Sequence, residues 1–430
     1  MSALRVAVVG CSHGQLDAMY ATIEHMNTMD PERPIQLLLC CGDFQSFRNE
    51  TDMHCMACPD KYKELGVFHE YYTGAKVAPV LTIFIGGNHE ASNYLQDLYY
   101  GGYVAPNIFY LGSAGVVNVN GVRIAGLSGI YKPHDFTFGH HESYPYDQST
   151  MRSIYHVREF QVYQLGHLKK RESPIDIMLS HDWPRGIERY GRTDVLLRKK
   201  SFLRDEIARG EFGSPPNEFL LHSLRPKHWF SGHMHVKFAA IVRHSDEAMT
   251  KFLALDKCLP HRDFMQVTDI APSSPFRGSD DGSVTLSMDK DWLAVLRATH
   301  HIASSVRLRP RVPEDDMAIE DADIAWVDTR LAEIAATSPD RASNPLAWIR
   351  PFELTAPPAY SAPSQLPVVG NPQTDALLAL LKLPHVVTVP YVPVGAPPAD
   401  PNAIELDDIE EVAAPVAVVE DPNALDIDDL

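Results

Sequence analysis

Residues 80–90 read VLTIFIGGNHE, an apolar, β-branched run that stops at two glycines and delivers Asn88, His89 and Glu90 to its end. A short continuous apolar run closed by a turn signal reads as a strand buried on both faces. The same grammar recurs along the first half of the chain. Arg5–Val9 leads into GCSHG, Ile35–Cys40 into CGDF, Ile175–Leu179 into SHDW, and His228–Ser231 into GHMH. Val122–Leu127 reads as a further strand without such a cluster. Buried strands alternating with helical or loop segments predict a layered α/β or α+β domain. Loops at strand ends can gather side chains from distant parts of the chain onto one rigid edge, which is where chemistry is expected.

The groups at those ends are Cys11, His13, Asp43, Asn88, His89, Glu90, His181, His233 and His235. A lone histidine says little, and His54, His69, His156 and His222 are read as structural. Five clusters, each just beyond a predicted strand, are a constellation. Mixed imidazole, carboxylate, amide and thiol donors suit divalent iron, zinc or manganese. Two metals about 3.5–4 Å apart would serve phosphodiester hydrolysis, by neutralising the non-bridging oxygens and making a nucleophile available at neutral pH. His233 and His235 are two apart, and on an extended segment they would point the same way and serve neighbouring metals.

D-x-H, G-D, G-N-H-E, H and G-H-x-H mark the calcineurin-like metallophosphoesterases, and the chain resembles them at Gly42-Asp43, Gly87-Asn88-His89-Glu90, His181 and Gly232-His233-Met234-His235. It departs at the first position, where Cys11 replaces the usual aspartate, a departure that is a signature of the lariat debranching enzymes. The likeness to that family runs through VAVVGCSHGQLD, LLLCCGDFQSFRNE, GGYVAPNIFYLG and LALDKCLPHRDF, roughly Leu4 to Phe264, and continues weakly to about Thr299.

The resemblance implies a four-layer αββα sandwich and hydrolysis of the 2′–5′ phosphodiester of branched lariat RNA. It implies two divalent metals, Fe2+ and Zn2+, with Mn2+ able to substitute. Carried over by position, Cys11, His13, Asp43 and His235 hold one metal and Asp43, Asn88, His181 and His233 the other, with Asp43 bridging. His89 would protonate the departing 2′ oxygen as general acid, and Glu90 would orient His89. Residues 128–158, rich in aromatic, His and Gly residues, correspond to the family's lariat recognition loop. Bases of single-stranded and branched RNA stack on aromatics, so Tyr131, Phe136, Tyr144 and Tyr146 are candidates for stacking and Lys132 and Arg158 for phosphate. The competing readings are a general nuclease, a protein phosphatase, or a non-catalytic scaffold; the last would have lost ligands or His89, and none is missing.

The chain has 430 residues, 22% charged and 45% hydrophobic, as in a soluble globular protein. The opening MSALRVAVVGCSHG carries no secretory pattern and no apolar run approaches ~18 residues, so a cytoplasmic or nuclear protein is expected. The substrate implied above favours the nucleus, with shuttling to the cytoplasm, and no membrane partner. A monomer is expected. Six cysteines, with Cys40 and Cys41 adjacent in a strand, argue for reduced thiols. The C-x-x-C pair Cys55 and Cys58 has no second pair to complete a zinc knot.

The net charge of −18 is concentrated at one end: from Pro351 onward thirteen acidic residues face one basic, Lys382. That leaves room for a basic stretch, Arg185 to Arg204, able to lie along a phosphate backbone. The expected organisation is a catalytic domain over 1–248, an accessory domain over 249–350 and a disordered Pro-rich acidic tail over 351–430. The tail holds 14 of the 33 prolines. Its degenerate repeats 401–409 and 422–430 are candidate docking motifs for a basic partner.

Overall fold

The computed structural model describes residues 3–170, 173–273, 283–314, 317–342, 344–357 and 369–393. The tail repeats at 401–409 and 422–430 lie outside them. The strands in chain order are β1 Leu4–Val9, β2 Leu37–Cys40, β3 Leu81–Phe84, β4 Gly102–Ala105, β5 Ile108–Tyr110 and β6 Ala114–Val119. They continue with β7 Val122–Leu127, β8 Ile177–Ser180, β9 His228–Ser231, β10 Phe238–Arg243, β11 Met249–Ala254, β12 Met265–Ile270 and β13 Leu286–Met288. They form two sheets, ordered β12-β1-β2-β3-β5-β4 and β10-β11-β9-β8-β7-β6-β13.

The central strands β1, β2 and β3 pair in parallel, as do β7, β8 and β9. Parallel strands covered on both faces must be apolar throughout, and β2, β3, β7 and β8 are buried at every position. Because side chains alternate across a strand, each strand serves two cores. Val6, Val8, Leu39 and Ile83 pack with Ile124, Ile177, Leu179 and Phe230 between the sheets. Ala7, Val9, Leu38 and Phe84 face the other way, onto helix Leu16–Met29 through Leu16, Met19 and Ile23. Ala125, Met178 and Trp229 turn from the second sheet onto helices Pro215–Leu224 and Lys290–Thr299. The result is the expected four-layer αββα arrangement.

Strand pairing continues past the expected boundary at 249, and core packing continues past that at 351. Strands β11 and β12 lie after residue 248, yet β11 pairs with β9 and β12 with β1. The segment after residue 248 thus contributes strands to both sheets. Past residue 351, helix Pro372–Leu381 buries Leu377, Leu378, Leu380 and Leu381 in the core of the second sheet's outer face. Pro372 opens it and Asn371 caps it by accepting from the Gln373 amide at 3.0 Å. The Gln373 side chain then accepts from the Tyr103 amide at 2.8 Å and donates to its carbonyl at 2.9 Å. This closes the exposed edge of β4, which an unpaired strand would leave open. Proline content and acidity masked a leucine-rich helix that depends on this non-local partner.

Candidate metal centre

Each expected ligand sits at the carboxyl end of a parallel strand, and the turn that presents it is sharp. His13, Asp43, His233 and His235 have φ of 44°, 51°, 64° and 45°. Residues other than Gly adopt this left-handed region uncommonly, Asn, Asp and His more readily than the rest, and such conformations gather at functional sites. The expectation that His233 and His235 lie on an extended segment is therefore corrected. A turn, not the pleat, separates them, sending His233 toward His181 (ring centroids 4.9 Å apart) and His235 toward His13 (5.1 Å). The turns also need glycine. A Cβ on Gly42 would lie 2.3 Å from His181 Nδ1, and one on Gly87 would lie 2.2 Å from Asp43 Oδ1.

Two donor sets result. In the first, ligand atoms of Cys11, His13, Asp43 and His235 lie within 4.8 Å of one another. His13 Nε2 is 3.0 Å from His235 Nε2 and 3.6 Å from Asp43 Oδ2. In the second, His181 Nε2 is 3.4 Å from Asp43 Oδ1 and 3.1 Å from Asn88 Oδ1. Asp43 thus turns one oxygen to each set. His181 Nδ1 bonds the Cys41 carbonyl at 2.7 Å, which fixes the tautomer with the Nε2 lone pair facing the centre.

The electrostatics suit cations. Burial, then the neighbouring imidazole of His13, pushes His235 down to about 2; burial, then His181, pushes His233 down to about 3. Both stay neutral, which is the ligating form. Burial alone would raise Asp43, but His181, His13 and His89 hold its carboxyl well below the usual carboxylate range. Burial and the Asp43 charge push the Cys11 thiol well up, although its Sγ accepts from the His233 amide at 3.0 Å. A thiolate there requires a cation beside it. The residues fit two divalent metals sharing Asp43.

His89 is half-buried, its ring centroid 5.8 Å from that of His13, and its amide donates to Asp43 Oδ1 at 3.0 Å. Glu90, expected to orient His89, makes its hydrogen bonds elsewhere. Its Oε1 accepts from the amides of Phe44 (2.8 Å) and Gly87 (2.9 Å), and its Oε2 from that of Gln45 (2.9 Å). It is a clamp between the Asp43 and Asn88 turns. Burial, then Asp43, pushes its carboxyl up to about 8, against the three amides that pull it down.

Asp182, given no role from the sequence, joins the centre to the loop over residues 128–158. Its Oδ2 accepts from the Tyr131 amide at 2.8 Å, and its Oδ1 lies 3.9 Å from His233 Nε2. Adjacency to His181 was the only sequence signal for it.

The loop over residues 128–158 is anchored at its base by the Val157 amide on the Ile130 carbonyl (2.9 Å). Tyr131, Lys132, Phe136 and Tyr144 are half-buried, with Tyr131 edge-on to Phe136 at 5.4 Å and Tyr144 edge-on to Tyr146 at 5.9 Å. Tyr146 donates its hydroxyl to Gln96 Oε1 at 2.5 Å, so its polar end is committed to the protein. Arg158, expected to meet phosphate, is 0% exposed and bonds Glu142 at 2.5 Å and the Ser153 carbonyl at 3.0 Å. It fastens the loop from inside, because a buried guanidinium needs a carboxylate partner. His156 is buried, with its Nδ1 2.6 Å from Asp135 Oδ2. All six cysteines are free thiols.

A two-sheet sandwich that collects a bridging aspartate, an asparagine and four histidines at its strand ends is a metallophosphoesterase. The calcineurin-like phosphoesterase family model matches residues 4–237, and that described as "Lariat debranching enzyme, C-terminal domain" matches residues 247–386. A lariat debranching enzyme of Arabidopsis thaliana is 43% identical over 95% of this chain and 96% of its own length. That of Danio rerio is 48% identical over 88% of this chain and 66% of its own length. That of Homo sapiens is 53% identical over 73% and 57%. The chain belongs to the lariat debranching enzyme family within the calcineurin-like phosphoesterases. It spans about two thirds or less of the length of the animal relatives.

Proposed function

We propose that this protein hydrolyses the 2′–5′ phosphodiester at the branch of lariat RNA. The observation that carries the reading is the split of Asp43, one oxygen toward His13 and the other toward His181, on a chain of the debranching family. Cys11, His13, Asp43 and His235 would hold one divalent metal, and Asp43, Asn88, His181 and His233 the other. Bound there, the pair neutralises charge on the non-bridging oxygens and makes a water nucleophilic at neutral pH.

The chain's own residues do the rest. His89, tied through its amide to Asp43, stands over the centre with its ring at the first donor set and protonates the leaving 2′ oxygen. Glu90 keeps the two turns at fixed separation, and Asp182 sets the recognition loop against the second donor set. Tyr131, Phe136 and Tyr144 hold the splayed branch nucleotide by stacking, with Lys132 on phosphate.

Thiolate and imidazole donors favour Fe2+ and Zn2+ as occupants, with Mn2+ able to substitute. Every ligand comes from one chain, which supports action as a monomer. Intron lariats arise in the nucleus, where we place the reaction. No helix among the described residues is long and apolar enough to cross a membrane.

Cleavage of a synthetic branched RNA, a linear 3′–5′ RNA and a phosphoserine peptide, each with and without chelator, tests this. Metal-dependent release of the 2′ arm, faster than cleavage of either comparator, is expected. Preference for the linear RNA or the phosphopeptide would keep the metal centre and discard the lariat.

A further inference from the structure

A second group of ligand-type side chains converges away from the metal centre, in the loop over residues 128–158. His134, Asp135 and His156 each offer a ligand atom, and these atoms lie within 4.8 Å of one another. His134 and Asp135 sit on the short helix Pro133–Phe136, on the outgoing stem of the loop, and His156 sits on the returning stem. The stems are joined where the loop closes: Ile130 is bridged to His156, and its amide donates to the Tyr155 carbonyl at 3.2 Å. The group thus draws on both ends of the loop.

Asp135 is at its middle. Its carboxylate is buried, with Oδ2 2.6 Å from His156 Nδ1 and 3.3 Å from His134 Nε2. The first contact is the hydrogen bond that a buried imidazole needs, and it fits the structural reading of His156. It does not account for His134, whose side chain is 69% exposed yet turns its Nε2 onto Asp135. The ring of His134 also stands edge-on to that of His156, with centroids 5.7 Å apart.

Zinc holds nitrogen and oxygen ligands at about 2.0–2.2 Å, so two of its tetrahedral ligands stand about 3.3 Å apart. The His134–Asp135 separation is already that one. The His156–Asp135 pair would open by about 0.7 Å when a cation takes the place of the proton between them, the imidazole then carrying its proton on Nε2. Arg158, which donates to the Asp135 carbonyl at 3.3 Å, has its own carboxylate partner in Glu142 at 2.5 Å, which leaves the Asp135 charge for a cation. Two imidazoles, neutral at pH 7, and one carboxylate are a donor set that zinc takes, and three protein ligands leave a fourth position to water.

We propose that His134 Nε2, Asp135 Oδ2 and His156 Nδ1 form a third divalent-metal site, of zinc type, that clasps the two stems of this loop. Tyr131 and Phe136, edge-on at 5.4 Å, bracket the two ligands contributed by the outgoing stem, so an ion here fixes that aromatic pair to the returning stem. With His134 open to solvent, the site exchanges its ion with free zinc and empties on gel filtration. The proposal stands on the geometry of the loop and not on the debranching reading, and its test measures no cleavage, so the two fail separately.

The full-length wild type and His134→Ala, a change at an exposed side chain that spares the fold, are dialysed to equilibrium against zinc. The readout is the difference between them: the wild type should take up about one ion per chain more, the count that one site of three protein ligands adds. Asp135→Asn, which keeps the shape, should lose the same ion. At zinc about tenfold above the midpoint of that extra uptake, amide hydrogen exchange over residues 130–136 and 155–157 should slow about tenfold in the wild type and not in His134→Ala. Equal uptake by wild type and His134→Ala at every zinc concentration would overturn the site. Loss of the ion in His134→Ala but not in Asp135→Asn would overturn it too, as binding to a surface histidine alone, and so would unchanged exchange in the wild type. Should Asp135→Asn fail to fold, the exchange comparison with His134→Ala decides.

Discussion

The main-chain amide of His89 donates to Asp43 Oδ1 at 3.0 Å, so the proposed general acid and the carboxylate between the two donor sets form one hydrogen-bonded unit. Asn88 donates to the same oxygen at 3.0 Å. The turn after β3 is thereby registered on the turn after β2, and moving Asp43 moves everything on both.

Asp43→Asn keeps the shape and removes the charge. Metal content measured after gel filtration should fall from about two ions per chain to one or fewer. Cleavage should fall by more than the ~10–100-fold typical of losing a group behind a ligand. Retention of two ions would contradict the bridging assignment.

Glu90→Gln replaces an acceptor oxygen that faces amides with an NH2 group. Unsatisfied buried donors cost about 1–3 kcal/mol. Thermal unfolding should shift down accordingly, and kcat should fall while KM for branched RNA holds, because the reacting groups and not the RNA contacts lose their positions. A change in KM alone would mean that Glu90 acts on substrate.

Arg158→Met leaves Glu142 buried without its partner, at a cost of about 3–5 kcal/mol in urea unfolding. The salt dependence of RNA binding should stay unchanged. A phosphate-contact role would do the reverse, sparing stability and flattening that dependence by about 0.7.

His140 is buried in the same loop, its Nε2 2.7 Å from Gln161 Nε2 and therefore accepting from it. Burial, then Arg158, pushes it down to about 3. The unfolded chain, with His near 6.5, binds more protons than the fold below that pH. Its contribution is full above pH 6.5 and is lost as pH falls from there toward 3. His140→Gln should flatten the stability–pH curve in that window relative to wild type, and identical curves would refute the assignment.

The strands that build the centre were legible in the sequence because they are buried on both faces and announce themselves as unbroken apolar runs. Val122–Leu127 and His228–Ser231 coincide with the observed strands. The strands that escaped flank those central ones: β12, β5 and β4 in the first sheet, and β10, β11, β6 and β13 in the second. β13 is three residues long and pairs with β6, more than 160 residues earlier, and β12 has little buried surface to mark it. The ligands were legible because their residue types are chemically unusual at strand ends. The hydrogen bonds of Glu90 and the burial of Arg158 were not, since a carboxylate or guanidinium reads the same whether it faces substrate or folds inward onto partners far away in sequence.

The most direct test of the account is single-turnover cleavage of a branched RNA by wild type and His89→Ala, using a 2′ oxygen at the scissile position and then a bridging 2′ sulfur. The wild type should release the 2′ arm and leave the 3′–5′ backbone intact. His89→Ala should lose about 10²–10⁴-fold on oxygen, the usual worth of a general acid, and recover most of it on sulfur, which leaves without a proton. Cleavage of the 3′–5′ linkage, or an equal loss on both leaving groups, would contradict the account.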